Sequence, residues 1–390
     1  MTPSSVDIEL SASKQRLLKW LALIGLATLV VGWFVAPERT WANLLLVSFY
    51  AVTLGLGGAF FIALQYACNA GWAVAIRRVP EAMCRLLPLG AAGIAVVLLF
   101  GAALYPWAGA AGDEGLRAGF KGAWLARPFF VARGLVCLVL WITLAAALVR
   151  ASRRQDVDGD PAHTCVSRRI SGLFIVVFAL TLSVASFDWI MSLEPAWYST
   201  IFAVYNFAGV VVGALAVIVL VCVWLRRMGA FRGVLTDDHL HDLGKLLLAF
   251  STFWAYIWFS QYMLIWYADI PEETSYYVLR QHGAWSSLLL LNFGINWVVP
   301  FFVLLPRGAK RDAGTMVKVA VLLLVGRWLD LYLMILPPIL GGVPAIGLWE
   351  VGLLVGGIGV CVPAVVRGLR AAPIVPLRDP YLAESLHYHQ

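Results

Sequence analysis

Residues 186–209 read SFDWIMSLEPAWYSTIFAVYNFAG. An apolar run from Ile170 arrives at Asp188, the triplet Leu193-Glu194-Pro195 turns the chain, and a second apolar run leaves from about Thr200. Each run is long enough to cross a bilayer, which takes about 20 mainly apolar residues in helical form. Two such runs joined by a tight turn are the repeating unit of a polytopic helical membrane protein. Two carboxylates, Asp188 and Glu194, stand where the runs meet water. An ionised side chain at the centre of a membrane helix costs about 2.5–3.5 kcal/mol on insertion scales. Asp188 lies at most about one helical turn inside the boundary. It reads either as an interfacial cap on a helix end or as a functional group held by a partner.

Working outward, the composition agrees. Of 390 residues 61% are hydrophobic and 13% charged, against roughly 25% charged in an ordinary soluble chain. Apolar spans fall near 16–35, 42–65, 84–105, 128–149, 169–191, 199–225, 243–268, 283–305, 315–336 and 347–369. The expected fold is therefore an all-α polytopic membrane protein of about ten transmembrane helices. Breakers mark the joints: Pro37, Pro80, Pro106, Gly159-Asp160-Pro161, Pro195, Gly229, Pro271, Pro306 and Pro337-Pro338. Residues 1–390 form a single integral-membrane domain in this reading. The longest connections, about 106–127 and 150–168, are too short for a core of their own. No small-residue cleavage site follows the first apolar run, so that run reads as a retained helix.

Lys and Arg fix the expected orientation. One face collects Lys14, Arg16 and Lys19; Arg77, Arg78 and Arg85; Arg150, Arg153, Arg154, Arg168 and Arg169. The same face continues with Arg226, Arg227, Arg232 and Lys245; Arg307, Lys310, Arg311 and Lys318; and Arg367, Arg370 and Arg378. The opposite face holds Arg39, Arg117, Lys121, Arg127, Arg133 and Arg280, with the acids Glu38, Asp113, Glu114, Glu194, Asp269, Glu272 and Glu273. By the positive-inside rule the first face is cytoplasmic. Both termini, a segment over 1–15 and a tail over 371–390, are then expected inside. The net charge of +7 follows from this asymmetry and is no sign of nucleic-acid binding.

Few residues offer redox or metal chemistry. The six cysteines are scattered with no CxxC pair. Five of the six histidines fall in cytoplasmic loops or the tail, and only His282 is near a span. His239 and His241, beside Asp237, Asp238 and Asp242, read as a solvated helix start with acids near its N-terminus or as a weak metal site. No metal is expected in this chain. Polar groups inside the spans remain. Arg327 and Asp330 stand three apart on the ninth span and share a helix face, Glu350 opens the tenth, and Gln261, Asn292 and Asn296 lie deeper. These read either as a structural ion pair or as a proton-handling pocket open to the outer face. The strong carboxylates are all expected in the outer half, while Asp242 and Lys245 mark the cytoplasmic end of the seventh span. That span is rich in aromatics, and Trp258, Gln261 and Tyr262 either face a flat ring or pack on neighbouring helices. GVVVG over 209–213 and GLLVG over 352–356 put small residues one turn apart, which lets backbones approach.

The phrases SFDWIMSLEPAWYSTIF, HDLGKLLLAFSTFWAYIWFSQYMLIWYADIPEE and GRWLDLYLMILPP resemble the ActF subunits of bacterial alternative complex III. The likeness is dense over about 170–338. It implies a fold related to NrfD/PsrC-like membrane subunits, with two four-helix bundles (helices 2–5 and 6–9) and two outer helices. It also implies a bacterial inner-membrane subunit of a quinol:cytochrome c oxidoreductase, with menaquinol or ubiquinol as reductant. The implied partners are multihaem and monohaem cytochrome c subunits carrying haem c, an Fe-S subunit and a paralogous ten-helix subunit. The redox centres would sit in those partners and none in this chain. A proton pathway through Asp188, Glu194, His282, Arg327, Asp330, Glu350, Asp242 and Lys245 is the expected contribution. An NrfD-like quinone-binding anchor of another respiratory complex, a secondary transporter and a purely structural anchor are the alternatives.

Overall fold

The computed structural model describes residues 8–108, 119–231 and 233–389. Asp113, Glu114, Arg117 and Arg232, used in the charge reading, lie outside the described residues, as does the start of the 1–15 segment. Ten long helices follow in order: α1 (Ala12–Val35), α2 (Pro37–Ala67), α3 (Arg78–Phe100), α4 (Arg127–Asp158), α5 (Ala162–Leu193), α6 (Phe202–Arg227), α7 (Asp237–Ala268), α8 (Ala284–Leu304), α9 (Ala313–Ile335) and α10 (Leu348–Leu369). Among the described residues nine of these are long and apolar enough to cross a membrane. The exception is α9. It has 23 residues, but Lys318, Arg327 and Asp330 fall within any membrane-length stretch of it. Its charges are tolerated because it is packed among other helices. The protein is an all-α polytopic membrane protein.

The helices close two rings. α2 packs on α3 and α5, and α4 completes the first ring between them; α6 packs on α7 and α9, and α8 completes the second. α2 lies against α6 and joins the rings, while α1 and α10 pack on each other and on α2. Chain alternation puts the SLEP turn (Ser192–Pro195) at one end of the molecule and the two termini at the other. Close approach at the joints depends on glycine. A Cβ on Gly356 would sit 2.5 Å from the Cα of Gly25, and one on Gly57 would sit 2.7 Å from the Val210 carbonyl. The GLLVG face is thus a helix-crossing surface. The GVVVG face serves another purpose, because a Cβ on Gly209 would lie 2.3 Å from the Arg327 guanidinium.

Two connections differ from expectation. The 150–168 segment is mostly helical: α4 continues to Asp158, Gly159 ends it in the left-handed region at φ 73°, and α5 begins at Ala162. A Gln155–Thr164 hydrogen bond of 2.8 Å ties the two ends. The 371–390 tail is folded against the bundle. Its short helix, Leu382–Leu386, lies on the turn Gly71–Ile76. Ser385 Oγ donates to the Trp72 carbonyl at 2.6 Å, Arg77 pairs with Asp379, and Tyr388 Oη donates to Asp242 at 2.5 Å.

Candidate functional site

The second ring encloses a polar centre built on Asp330, which is 1% exposed. Its partner Arg327, three residues earlier on α9, donates at 2.5 Å. α6 contributes the Tyr205 hydroxyl, α7 contributes Trp254 Nε1 at 3.2 Å, and α8 contributes Asn292 Nδ2 at 3.1 Å. Four helices therefore converge on one carboxylate. Arg327 also donates to Asn206 Oδ1 at 3.2 Å and lies on the bare backbone of Gly209. The chain of amides continues toward the termini end. Asn296 Nδ2 donates to Asn292 Oδ1 at 2.7 Å, and Ser251 Oγ donates to the Asn296 carbonyl at 2.7 Å. That carbonyl lies in a π-helical turn, Gly294–Val298, the kind of local widening that recurs at functional sites.

On the SLEP side of Asp330 a cavity of about 10 Å³ is lined by Tyr205, Gln261, Tyr276, Tyr277, Arg280 and Asn292, among others. A space of that size is at the threshold for one water molecule. Gln261 Oε1, buried and bordering it, has no hydrogen-bond partner among the described residues. Beyond the cavity Arg280, 1% exposed, donates to Glu194 Oε1 at 2.6 Å and to the carbonyls of Leu333, Tyr276 and Met334. Its guanidinium lies 3.4 Å over the Tyr276 ring. Burial pushes the Tyr276 hydroxyl up to about 12, with Arg280 opposing, so it stays a neutral donor near pH 7. Asp330, one small cavity, Arg280 and Glu194 thus form a continuous polar line from the centre of the ring to the SLEP end.

The other carboxylates occupy separate sites. Asp188 sits in a π-helical turn of α5, Ser186–Ile190, and accepts from Arg133 Nε at 2.7 Å and Trp124 Nε1 at 3.0 Å. Arg133 lies 3.9 Å from the Trp124 ring. Glu350 is joined to α2 rather than to α9. Arg39 donates to its two oxygens at 2.7 and 2.6 Å, Asn43 Nδ2 donates at 2.9 Å, and the Gly347 amide donates at 2.8 Å. Every acceptor of Glu350 is used in bracing α10 to α2. Asp188 and Asp330 have matching surroundings, each with an arginine, a tryptophan N–H and a proline ending its helix at the same spacing (Pro195 and Pro337).

Several expected members of the site lie elsewhere. Asp242 and Lys245 pair at 2.5 Å at the termini end. Leu247, fully buried, stands between Lys245 and Ser251 along the helix. His282 is exposed and bonds the Val278 carbonyl at 2.6 Å, outside the network. Trp258 and Tyr262 are half-buried and stack on each other at 6.0 Å, with Trp254 and Phe293 against Trp258 and Tyr277 against Tyr262. Trp258 also lines the small cavity beside Asp330, while Tyr262 packs with its neighbours. Among the described residues no three His, Cys, Asp or Glu side chains converge as metal ligands would.

The expectation that all strong carboxylates lie in the SLEP half is incorrect. Glu81, 1% exposed at the start of α3, accepts from Arg78 at 2.6 Å and from Ser152 Oγ at 2.5 Å, and Arg78 also pairs with Asp156. This acid was readable, since Arg78 and Glu81 stand three apart. Arg39, Arg133 and Arg280 were counted only in the charge of the opposite face, yet each holds a carboxylate: buried Glu350, buried Asp188 and half-buried Glu194. Arg133, more than a turn inside an apolar run, carried a signal in its cost to the membrane. Tyr205 and Trp254 carried none.

No family model matches the chain, and no curated protein matches it significantly. The class is set by the fold and the site together: a multi-pass helical membrane protein whose second ring holds a buried Arg327–Asp330 ion pair, with both carboxylate oxygens bonded.

Proposed function

We propose that this chain is an integral-membrane subunit of a quinol:cytochrome c oxidoreductase of the alternative complex III type, and that its second ring handles protons through a half-channel open to the outer face. The sequence phrases over 170–338 support the assignment to that complex. The single observation that favours proton handling is the line from Asp330 through a one-water cavity to Arg280 and Glu194. A buried carboxylate with neutral hydroxyl donors beside it and a half-buried acid beyond it can take up a proton while Arg327 keeps its bond to Asn206. In this reading Asp330 is the internal acceptor, Tyr205 and Tyr276 are neutral relays, and Glu194 is the exit group. Asp242 and Lys245 lie at the cytoplasmic end, separated from Ser251 by buried Leu247, so the path is a half-channel. Quinol oxidation, haem c and Fe-S centres belong to partner subunits.

A second reading is favoured by the complete bonding of Asp330: the Arg327–Asp330 pair only locks the ring. The double variant Arg327→Leu with Asp330→Leu separates the two, because it leaves no stranded charge. Proton handling predicts an assembled complex with turnover or proton release lost in membrane vesicles. Assembly with normal turnover and normal release would sink the proton role and leave the lock.

A further inference from the structure

A cleft of about 510 Å³ lies between α2, α6, α9 and α10, a volume in the range of ligand sites. Its walls are apolar, with Val47 and Leu54 on α2, Leu220 on α6, Leu324 on α9, and Leu354 and Ile358 on α10. Along α10 the lining runs from Leu354 to Val366, about 18 Å at the helical rise. The cleft is thus long, narrow and parallel to the helices. Ile358, Val362 and Val325 on its wall are 44%, 38% and 52% exposed, so it opens sideways toward the bilayer. Water gains nothing in such a space, and an unfilled one forfeits the packing contacts of its lining. A hydrocarbon chain fits both the length and the walls.

The termini end of the cleft is basic. Leu10, Leu86, Trp224 and Val366 line that end. Arg227 follows Trp224 by three residues, Arg370 follows Val366 by four, and Arg85 precedes Leu86; all three are exposed, and Arg370 also donates to the Ile8 carbonyl at 2.7 Å and to exposed Glu9 at 3.1 Å. Residues three or four apart share a helix face, so Arg227 and Arg370 lie one turn beyond the lining. Basic pockets between membrane helices suit anionic headgroups. We propose that this cleft is a resident site for an anionic phospholipid, with one acyl chain between α2, α6, α9 and α10 and the phosphate at Arg227, Arg370 and Arg85. The site is independent of the Asp330 line.

The test uses the full chain, extracted and analysed by native mass spectrometry with dioleoylphosphatidylglycerol and dioleoylphosphatidylcholine as probes. The expected result is one tightly held phosphatidylglycerol, preferred over phosphatidylcholine. Ile358→Trp fills the cleft from an exposed position and abolishes that adduct, while Leu180→Trp on the distant face of α5 leaves it. Arg227→Gln lowers the phosphatidylglycerol affinity by about fivefold, the effect of one surface cation on an anionic lipid, and leaves phosphatidylcholine unchanged. Val362→Trp replaces Ile358→Trp if the latter unfolds, as judged by thermal melting. The proposal is overturned if the filled variants hold the same lipid, if the retained molecule is a polyprenyl quinone, or if a partner's helix occupies the cleft in the purified complex.

Discussion

Asp330 is bonded from four helices, so each partner can be removed singly. Arg327→Ala strands a buried carboxylate, and breaking a buried pair costs about 3–5 kcal/mol. The expected outcome is a chain that fails to accumulate in membranes or melts far below the parent in detergent. Gly209 supports the same pair from the opposite side. A Cβ there meets the guanidinium at 2.3 Å, whereas one on Gly213 meets a Leu54 methyl at 3.2 Å. Gly209→Ala is therefore expected to destabilise by about 1–3 kcal/mol, the usual range for overpacking, and Gly213→Ala by clearly less. Equal melting points for the two variants would contradict the cradle. At this scale the sequence was legible in part. Arg327 and Asp330 are visible as a pair because their spacing is local. Tyr205, Trp254 and Arg280 reach the site from separate helices, and no local pattern marks an ordinary tyrosine or tryptophan as a donor to a distant acid.

The helices themselves were legible because membrane spans are long apolar runs and the chain breaks them with proline and glycine. Their ends were less so. α4 and α5 continue beyond the apolar runs, since nothing in RASRRQD stops the hydrogen-bond ladder before Gly159. The tail gave no signal either, because its contacts are single polar bonds to Trp72, Arg77 and Asp242. Removing residues 379–390 uncovers Trp72 and His239, and the expected result is faster proteolysis within the Gly71–Arg85 segment while the ten long helices keep their far-ultraviolet signal. Unchanged cleavage there would show that the tail is not a cover. Crossing of α1 and α10 depends on Gly25 and Gly356. Gly356→Ile is expected to release α1, read as a lower melting temperature in detergent and faster proteolysis at the joint between α1 and α2.

For the whole molecule the main test is topology. Val157 and Ala196 are exposed at opposite ends. With Cys68 and Cys165, the exposed native cysteines, replaced by serine, a cysteine at Ala196 should react with an impermeant reagent on intact cells and one at Val157 should not. The reverse pattern would place the Asp330 line toward the cytoplasm. Orientation was read from charge alone, and that reading counted Arg39, Arg133 and Arg280 in full although each is paired with an acid. They contribute less to it than loop charges do. The same pairing has an electrical consequence. Arg133 with Asp188, Arg280 with Glu194, Arg327 with Asp330 and Arg39 with Glu350 are each neutral as a unit. A membrane potential acts on net charge, at about 2.3 kcal/mol per elementary charge per 100 mV, so these four matched pairs add little lever for voltage. In the proton-handling reading, protonating Asp330 leaves Arg327 unmatched and adds one charge to those on α9 on which the field pulls.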